Sequence, residues 1–224
     1  MLHEKENALR DAQLACFGRL LSGFTHDLKN HLAIINESSG LMGDLLEMGK
    51  GREDETCKKF QKIIATIAER VELANVIVKN LNGFAHRMDM AVSVFSVNDV
   101  LREEMALMYR FARLKGVGVD MKMEENLPSS CSNPALIQFL LYIFVDSSLA
   151  RMKTGGELKL VTKKDGDVVV VQLEARGGNG GTDDGGVRGS HAELVAFVVE
   201  KLGINMGQEM LDNGWVYRLT LPAV

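Results

Sequence analysis

Apolar positions recur at helical spacing between residues 5 and 87, and no proline interrupts them. Phe60, Ile64, Ile67, Val71, Ala74, Val78, Leu81 and Ala85 are separated alternately by four and three residues, the seam of a coiled coil or helical bundle. Leu21, Phe24, Leu28, Leu32, Ile35, Met42 and Leu46 form a similar stripe with one stagger. The polar stretch from Gly49 to Asp54 lies between the two and reads as a turn. The spacing therefore predicts an antiparallel hairpin with helices near 6–48 and 53–87. Two helices alone cannot bury both faces of stripes this long, so a homodimeric four-helix bundle is expected.

The pattern changes from about Ser93. Ser96-Val97-Asn98-Asp99 reads as a helix start, with Val100, Leu101, Met105, Met108 and Phe111 behind it. Val117, Val119, Met121 and Met123 alternate as a half-buried strand does. Asn133-Pro134 begins a helix reaching about Met152. Leu158, Leu160 and Thr162 then face Val169, Val171 and Leu173 across the turn Lys164 to Asp167, a β-hairpin. A Gly-rich loop covers 176–189, a helix Ala192 to Leu202, and two strands close the chain around Asp212-Asn213-Gly214, the second from Trp215 to Leu221. The fold class is α+β: a helical hairpin domain over 1–90, then a two-layer α/β sandwich over 91–224.

Composition narrows the function classes. The chain has 224 residues with 46% hydrophobic and 25% charged, and a formal charge of −4, which argues against nucleic acid as a partner. No apolar run approaches the ~20 residues of a membrane helix, and the polar first ten residues give no sign of a secretory signal. Cys16, Cys57 and Cys131 form no CxxC pair, which fits reduced thiols in a cytoplasm. No His, Asp and Glu set has metal-ligand spacing, so no metal of its own is expected.

The candidate chemistry lies on the first helix. On a wheel with Phe24 at zero, Leu20 and Leu28 fall within about 40° of it, while His26 and Asn30 fall near 200° and 240°. Ser22 shares their outward stripe, and Lys29 also points out. A solvent-facing His suits a nucleophile, since a neutral imidazole attacks through one nitrogen and keeps a proton on the other. Asp27 beside it can fix the tautomer, Asn30 can orient a water or a phosphoryl oxygen, and Lys29 can offset phosphoryl charge. A solvated helix face with the same residues is the bland alternative. His31 falls on the packed side and reads as structural.

The segment Gly18 to His31, Gly-Arg-Leu-Leu-Ser-Gly-Phe-Thr-His-Asp-Leu-Lys-Asn-His, resembles the phosphoacceptor box of two-component sensor histidine kinases. Phe95 to Leu101 resembles that family's approach to its ATPase-like domain, and Asn126-Leu127-Pro128 through Gln138 its lead into the next helix. The resemblance runs from about residue 15 to the end. It implies that His26 carries a phosphoryl group, that Asp27 is the general base, and that Asn30 is the position assisting phosphatase chemistry.

The second domain departs from the family pattern. The family's magnesium-binding Asn falls at Asp146, and its upstream Asn at Tyr142. An Asp can still bind magnesium. The carboxylate that should accept the adenine amino group falls at Ala175, in Ala175-Arg176-Gly177-Gly178-Asn179. Neighbouring Glu174 should point to the opposite face of the strand. The last Gly box is replaced by Gly189-Ser190-His191-Ala192-Glu193, where Glu193 would repel a triphosphate. The Gly-rich run lacks the Lys-Ser/Thr ending of a P-loop.

A phosphoacceptor helix joined to a degenerate nucleotide site (Asp146, Ala175, Gly177) points to a cytoplasmic histidine phosphotransferase. It would shuttle a phosphoryl group between receiver-domain aspartates through His26. The expected partners are response-regulator receiver domains, an upstream histidine kinase and a second copy of the chain. No cofactor of its own is expected, Mg²⁺ arriving with the receiver. Three alternatives stay open: an autokinase with a divergent ATP site, a non-catalytic docking module, and a response-regulator phosphatase.

Overall fold

The computed structural model describes residues 2–47, 53–89, 91–178, 187 and 190–224. Helices α1 (Leu2–Glu47) and α2 (Glu53–His86) form the antiparallel hairpin. The expected turn from Gly49 falls outside the described residues up to Arg52. The heptad stripe of α2 divides in two: Phe60, Ile67, Ala74 and Leu81 are half-buried, whereas Ile64, Val71, Val78 and Ala85 are exposed. One hairpin thus covers one of the two heptad positions and leaves the other open. On α1 the same holds for Leu21, Leu32 and Leu46, which are exposed.

The α/β unit starts at β1 (Ser93–Phe95) and continues through α3 (Val97–Lys115), β2 (Gly118–Met123), β3 (Ser130–Ser132), α4 (Pro134–Arg151), β4 (Met152–Asp165), β5 (Val168–Gly178), α5 (Ser190–Leu202), β6 (Asn205–Leu211) and β7 (Gly214–Pro222). The main sheet has the order β2-β4-β5-β7-β6; β2 runs parallel to β4 and the other pairs are antiparallel. β1 and β3 make a small antiparallel pair that the hydrophobic pattern does not announce, since β3 is Ser-Cys-Ser. The end of β5 and helix α5 flank the Gly-rich loop, of which 179–186, 188 and 189 lie outside the described residues.

Local chemistry sets the helix boundaries. Ser96 caps α3 by accepting a hydrogen bond from Asp99 N, and Gly116 ends it in the left-handed conformation at φ 68°. Asn133 caps α4 by accepting from Leu136 N at 3.0 Å, with Pro134 in the first turn. Alternation sends Leu158, Leu160, Thr162, Val169, Val171, Leu173, Ala175, Trp215, Tyr217, Leu219 and Leu221 into the core. One buried polar pair is internally satisfied: Thr162 Oγ1 donates to Asn98 Oδ1, and Asn98 Nδ2 donates to Glu124 O, both at 2.8 Å. Helix α4 lies in the middle of the unit and is apolar on all sides. Among the described residues it alone is long and apolar enough to cross a membrane, and 72% of it is buried.

The α/β unit packs on the side of α1 that carries Leu9, Cys16, Leu20 and Gly23, all buried. Gly23 matters here, because a Cβ at that position would stand 3.3 Å from the Phe111 ring of α3. Arg19 of α1 pairs with Asp146 of α4 at 2.7 Å and lies over the Phe111 ring at 5.1 Å. Farther along, Lys201 of α5 donates to Glu6 at 2.6 Å. On α2, Phe84 is buried and stacks on Phe17, while Arg87, just past the helix end, reaches Glu103 of α3 with two hydrogen bonds at 2.9 and 3.0 Å.

Candidate functional site

His26 projects from the middle of α1 with its side chain 55% exposed. It opens onto a groove of about 470 Å³ lined by Gly18, Leu21, Ser22, Thr25, His26 and Lys29. Ser22 and Lys29, placed outward by the helical wheel, are thus beside the imidazole in space. Asn30, one turn on, donates from Nδ2 to His26 Nδ1 at 3.1 Å. His31 is half-buried, its Nδ1 shielded from solvent, on the packed side as its helical phase requires.

Asp27 does not share the exposure of His26. One step of the helix turns it about 100° toward the α/β unit, where its carboxylate is 26% exposed and 3.6 Å from His26 Nδ1. Its main partner is Arg110 of α3, whose Nη1 stands 2.5 Å from Asp27 Oδ1 and 2.8 Å from His26 Nδ1. Sequence reasoning misses Arg110. It lies 83 residues from Asp27, and nothing in the pattern of α3 marks it out. All the contacts to the ring converge on Nδ1, and no hydrogen bond from the described residues reaches Nε2.

The positions matched to a nucleotide site are differently engaged. Asp146 is half-buried and committed to Arg19. Arg19 is a second residue the motif analysis passes over, although it sits seven residues before His26 on the same helical stripe. Asp146 opens onto a groove of about 380 Å³ lined by Arg19, Phe111, Leu114, Lys115, Leu149 and Ala150, on the α1–α3 side of α4. Tyr142, one turn earlier, also faces Arg19. Burial, and then the Asp146 carboxylate, push its phenol up to about 12.

Ala175 is fully buried in β5, opposite Leu158 on β4 and Trp215 on β7. The Trp215 indole donates to Ser148 Oγ of α4 at 3.1 Å, the Arg151 guanidinium covers the indole ring at 4.1 Å, and Phe144 stacks on Tyr217 at 4.5 Å. Side chains therefore fill the space between α4 and the sheet at the level of Ala175. Its methyl group offers no acceptor. Glu174, on the opposite face, is ion-paired with Arg176. Gly177 adopts φ 81°, and a Cβ there would stand 2.8 Å from Gly156 Cα, so this glycine serves a close backbone approach. At the two positions that the resemblance assigns to a nucleotide, the Asp146 carboxylate is therefore engaged by Arg19 and Ala175 is apolar and buried. Glu193 lies in the first turn of α5. Among the described residues no three His, Cys, Asp or Glu side chains gather as metal ligands.

One buried acid lies in the seam between the hairpin and the α/β unit. Glu104 of α3 is fully buried, neither carboxylate oxygen has a hydrogen-bond partner among the described residues, and burial pushes its pKa up to about 8. Cys16 of α1 is close enough that the Glu104 charge adds to the burial that raises its thiol pKa.

No family model matches the chain, and no curated protein matches it. Solved structures do. The catalytic domain of histidine kinase ThkA, in a nucleotide-free form, shares 15% identity over 60% of this chain and 98% of its own, with a TM-score of 0.53. The Acinetobacter baumannii histidine kinase AdeS shares 13% identity over 88% of this chain and 98% of its own, at 0.52. Full-length ShkA in complex with AMPPNP shares 16% identity over 89% of this chain and 46% of its own, at 0.51. These likenesses establish the architecture: a helical hairpin followed by a mixed-sheet α/β domain, the fold of a histidine kinase core.

Proposed function

We propose that the protein is a histidine phosphotransferase of a two-component phosphorelay, acting in the cytoplasm as a homodimer. The observation that carries this reading is His26, an exposed imidazole presented in mid-helix on a histidine-kinase-type fold. The filled space around Ala175 and the pairing of Asp146 with Arg19 favour a phosphoryl source outside the chain. The exposed Ile64, Val71 and Val78 of α2 and Leu32 of α1 supply the apolar faces that a second hairpin would cover.

In the first half-reaction, His26 Nε2 attacks the phosphorus of a receiver's aspartyl phosphate. The N–P bond forms as the acyl O–P bond breaks, and the electron pair leaves on the receiver's carboxylate. The second half-reaction reverses these steps on the aspartate of another receiver. Mg²⁺ bound to the receiver neutralises the charge of the loose phosphoryl group. Within this chain, Asp27 is the carboxylate placed to accept a hydrogen bond from Nδ1–H during transfer, and Lys29 and Ser22 line the groove where the phosphoryl oxygens arrive.

The test is incubation with a receiver domain carrying a radiolabelled aspartyl phosphate. Acid-labile label is expected on His26 and is lost in His26→Ala. Labelling by Mg-ATP alone would establish an autokinase instead. Signalling output that survives His26→Ala would establish a docking module.

A further inference from the structure

We propose that Arg110 is a positioning residue that holds His26 in the tautomer unable to accept a phosphoryl group, so that docking of α3 on α1 is the resting state of the site. The proposal rests on the phosphoryl-carrier reading and adds a gate to it.

A guanidinium has five N–H donors and no acceptor. Its Nη1 stands 2.8 Å from His26 Nδ1, so Nδ1 must be the acceptor and must carry no proton in this arrangement. The Asn30 amide aims a second N–H at the same nitrogen. The neutral ring then bears its proton on Nε2. The electron pair of a protonated Nε2 is part of the aromatic system and cannot attack phosphorus. Nδ1 has the free pair, and two donors cover it. Neither nitrogen is nucleophilic while Arg110 is in place.

Asp27 is withdrawn by the same residue. Its Oδ1 lies 2.5 Å from Arg110 Nη1 and 3.6 Å from His26 Nδ1. A carboxylate engaged with a guanidinium is a poor partner for an Nδ1 proton. If Arg110 leaves and the Asn30 amide turns its oxygen or its back to the ring, Asp27 can accept a hydrogen bond from Nδ1–H, which places the lone pair on Nε2. One side chain therefore sets both the tautomer and the availability of the base.

Arg110 is anchored by the packing of the two units. It is 16% exposed, its Cδ would lie 3.5 Å from a Cβ at Gly23, and its neighbour Phe111 packs over the same glycine. Displacing its guanidinium from His26 requires α3 to shift along α1 or the side chain to swing into the groove. A receiver whose acyl phosphate enters that groove supplies the anion that can draw the guanidinium away.

Nitrogen-15 NMR of the histidine rings at a pH of about 8, where free imidazole is neutral, reads the tautomer directly in the wild-type protein. The proton of His26 is expected on Nε2. In Arg110→Met, which keeps an apolar stem, it is expected to move toward Nδ1, and Arg110→Lys should restore the wild-type pattern in part. Phosphoramidate, a small donor that transfers its phosphoryl group to imidazole and releases ammonia, should label Arg110→Met about tenfold faster than wild type, as expected for removing one charge-assisted hydrogen bond. A wild-type proton on Nδ1, or an Arg110→Met protein labelled no faster, overturns the gate and leaves the carrier reading standing. Tautomers that shift as expected, with label on neither protein from phosphoramidate or from a phosphorylated receiver, overturn the carrier reading and the gate with it.

Discussion

Replacing Glu104 by Met should stabilise the protein, and increasingly so as the pH rises. The carboxyl is fully buried and both oxygens lack partners. Burying a neutral polar group without a hydrogen bond costs about 1–3 kcal/mol, and a thioether of similar volume removes that cost. The second part of the effect is linkage. Burial raises the carboxyl's pKa from 4.5 to about 8 in the folded chain, so between those values the folded state holds a proton that the unfolded state has lost. Unfolding then releases a proton, and stability falls as the pH rises through this window, by a factor of about ten in the unfolding constant per pH unit. Below the window the group adds no pH dependence, and above it the penalty is complete. The assay is urea unfolding followed by circular dichroism and by Trp215 fluorescence, at fixed protein concentration, at several pH values from 5 to 8. Stability curves for wild type and Glu104→Met that run parallel across this range would refute the reasoning, because they would mean that Glu104 is paired or hydrated in the folded state.

Two further changes test the positions that the resemblance assigns to a nucleotide. Ala175→Asp restores the residue type that the kinase resemblance calls for, yet it places a carboxylate against Trp215 in a site with no exposure. It should cost at least about 3 kcal/mol and confer no nucleotide binding in a fluorescence titration; a stable variant that binds nucleotide would contradict the account of this face. Arg19→Ala removes a partly exposed ion pair and the cation over Phe111, so a loss of about 1 kcal/mol is expected in thermal unfolding. A double-mutant cycle with Asp146→Ala should show coupling, and strictly additive losses would mean that the pair contributes nothing.

Much of the fold is legible where local chemistry decides it. Ser96 and Asn133 announce their helices because a side-chain acceptor before an apolar run has one obvious use, and the β4–β5 alternation fixes which residues face α4. The heptads of α2 announce a helix but not the division of labour within it. Ile64 and Ile67 are equally apolar, and only the position of α1 determines that the second is covered. β3 is invisible because Ser130 to Ser132 has no apolar pattern; its pairing depends on β1, 37 residues away. The same reason limits the site. His26, Ser22, Lys29 and Asn30 share one helical stripe and can be placed from phase alone. The partners they meet, Arg110 for His26 and Asp27, and Arg19 for Asp146, come from tertiary docking, which periodicity does not encode.

The reach of α1 has a consequence for how the molecule assembles. At 46 residues it extends for about 70 Å, and its first turns make contacts with groups from late in the sequence: Glu6 with Lys201 and Lys5 with the ring of Phe197. During synthesis from the N-terminus, the hairpin can close soon after α2 leaves the ribosome, while Cys16 and Leu20 wait for a surface that does not yet exist. Until α3 and α4 are made, the flank bearing Cys16 is an uncovered apolar strip, open to a chaperone or to a second nascent copy, and the first turns wait longer still, for α5. Truncations within the last helix should therefore be felt first at the opposite end of the polypeptide.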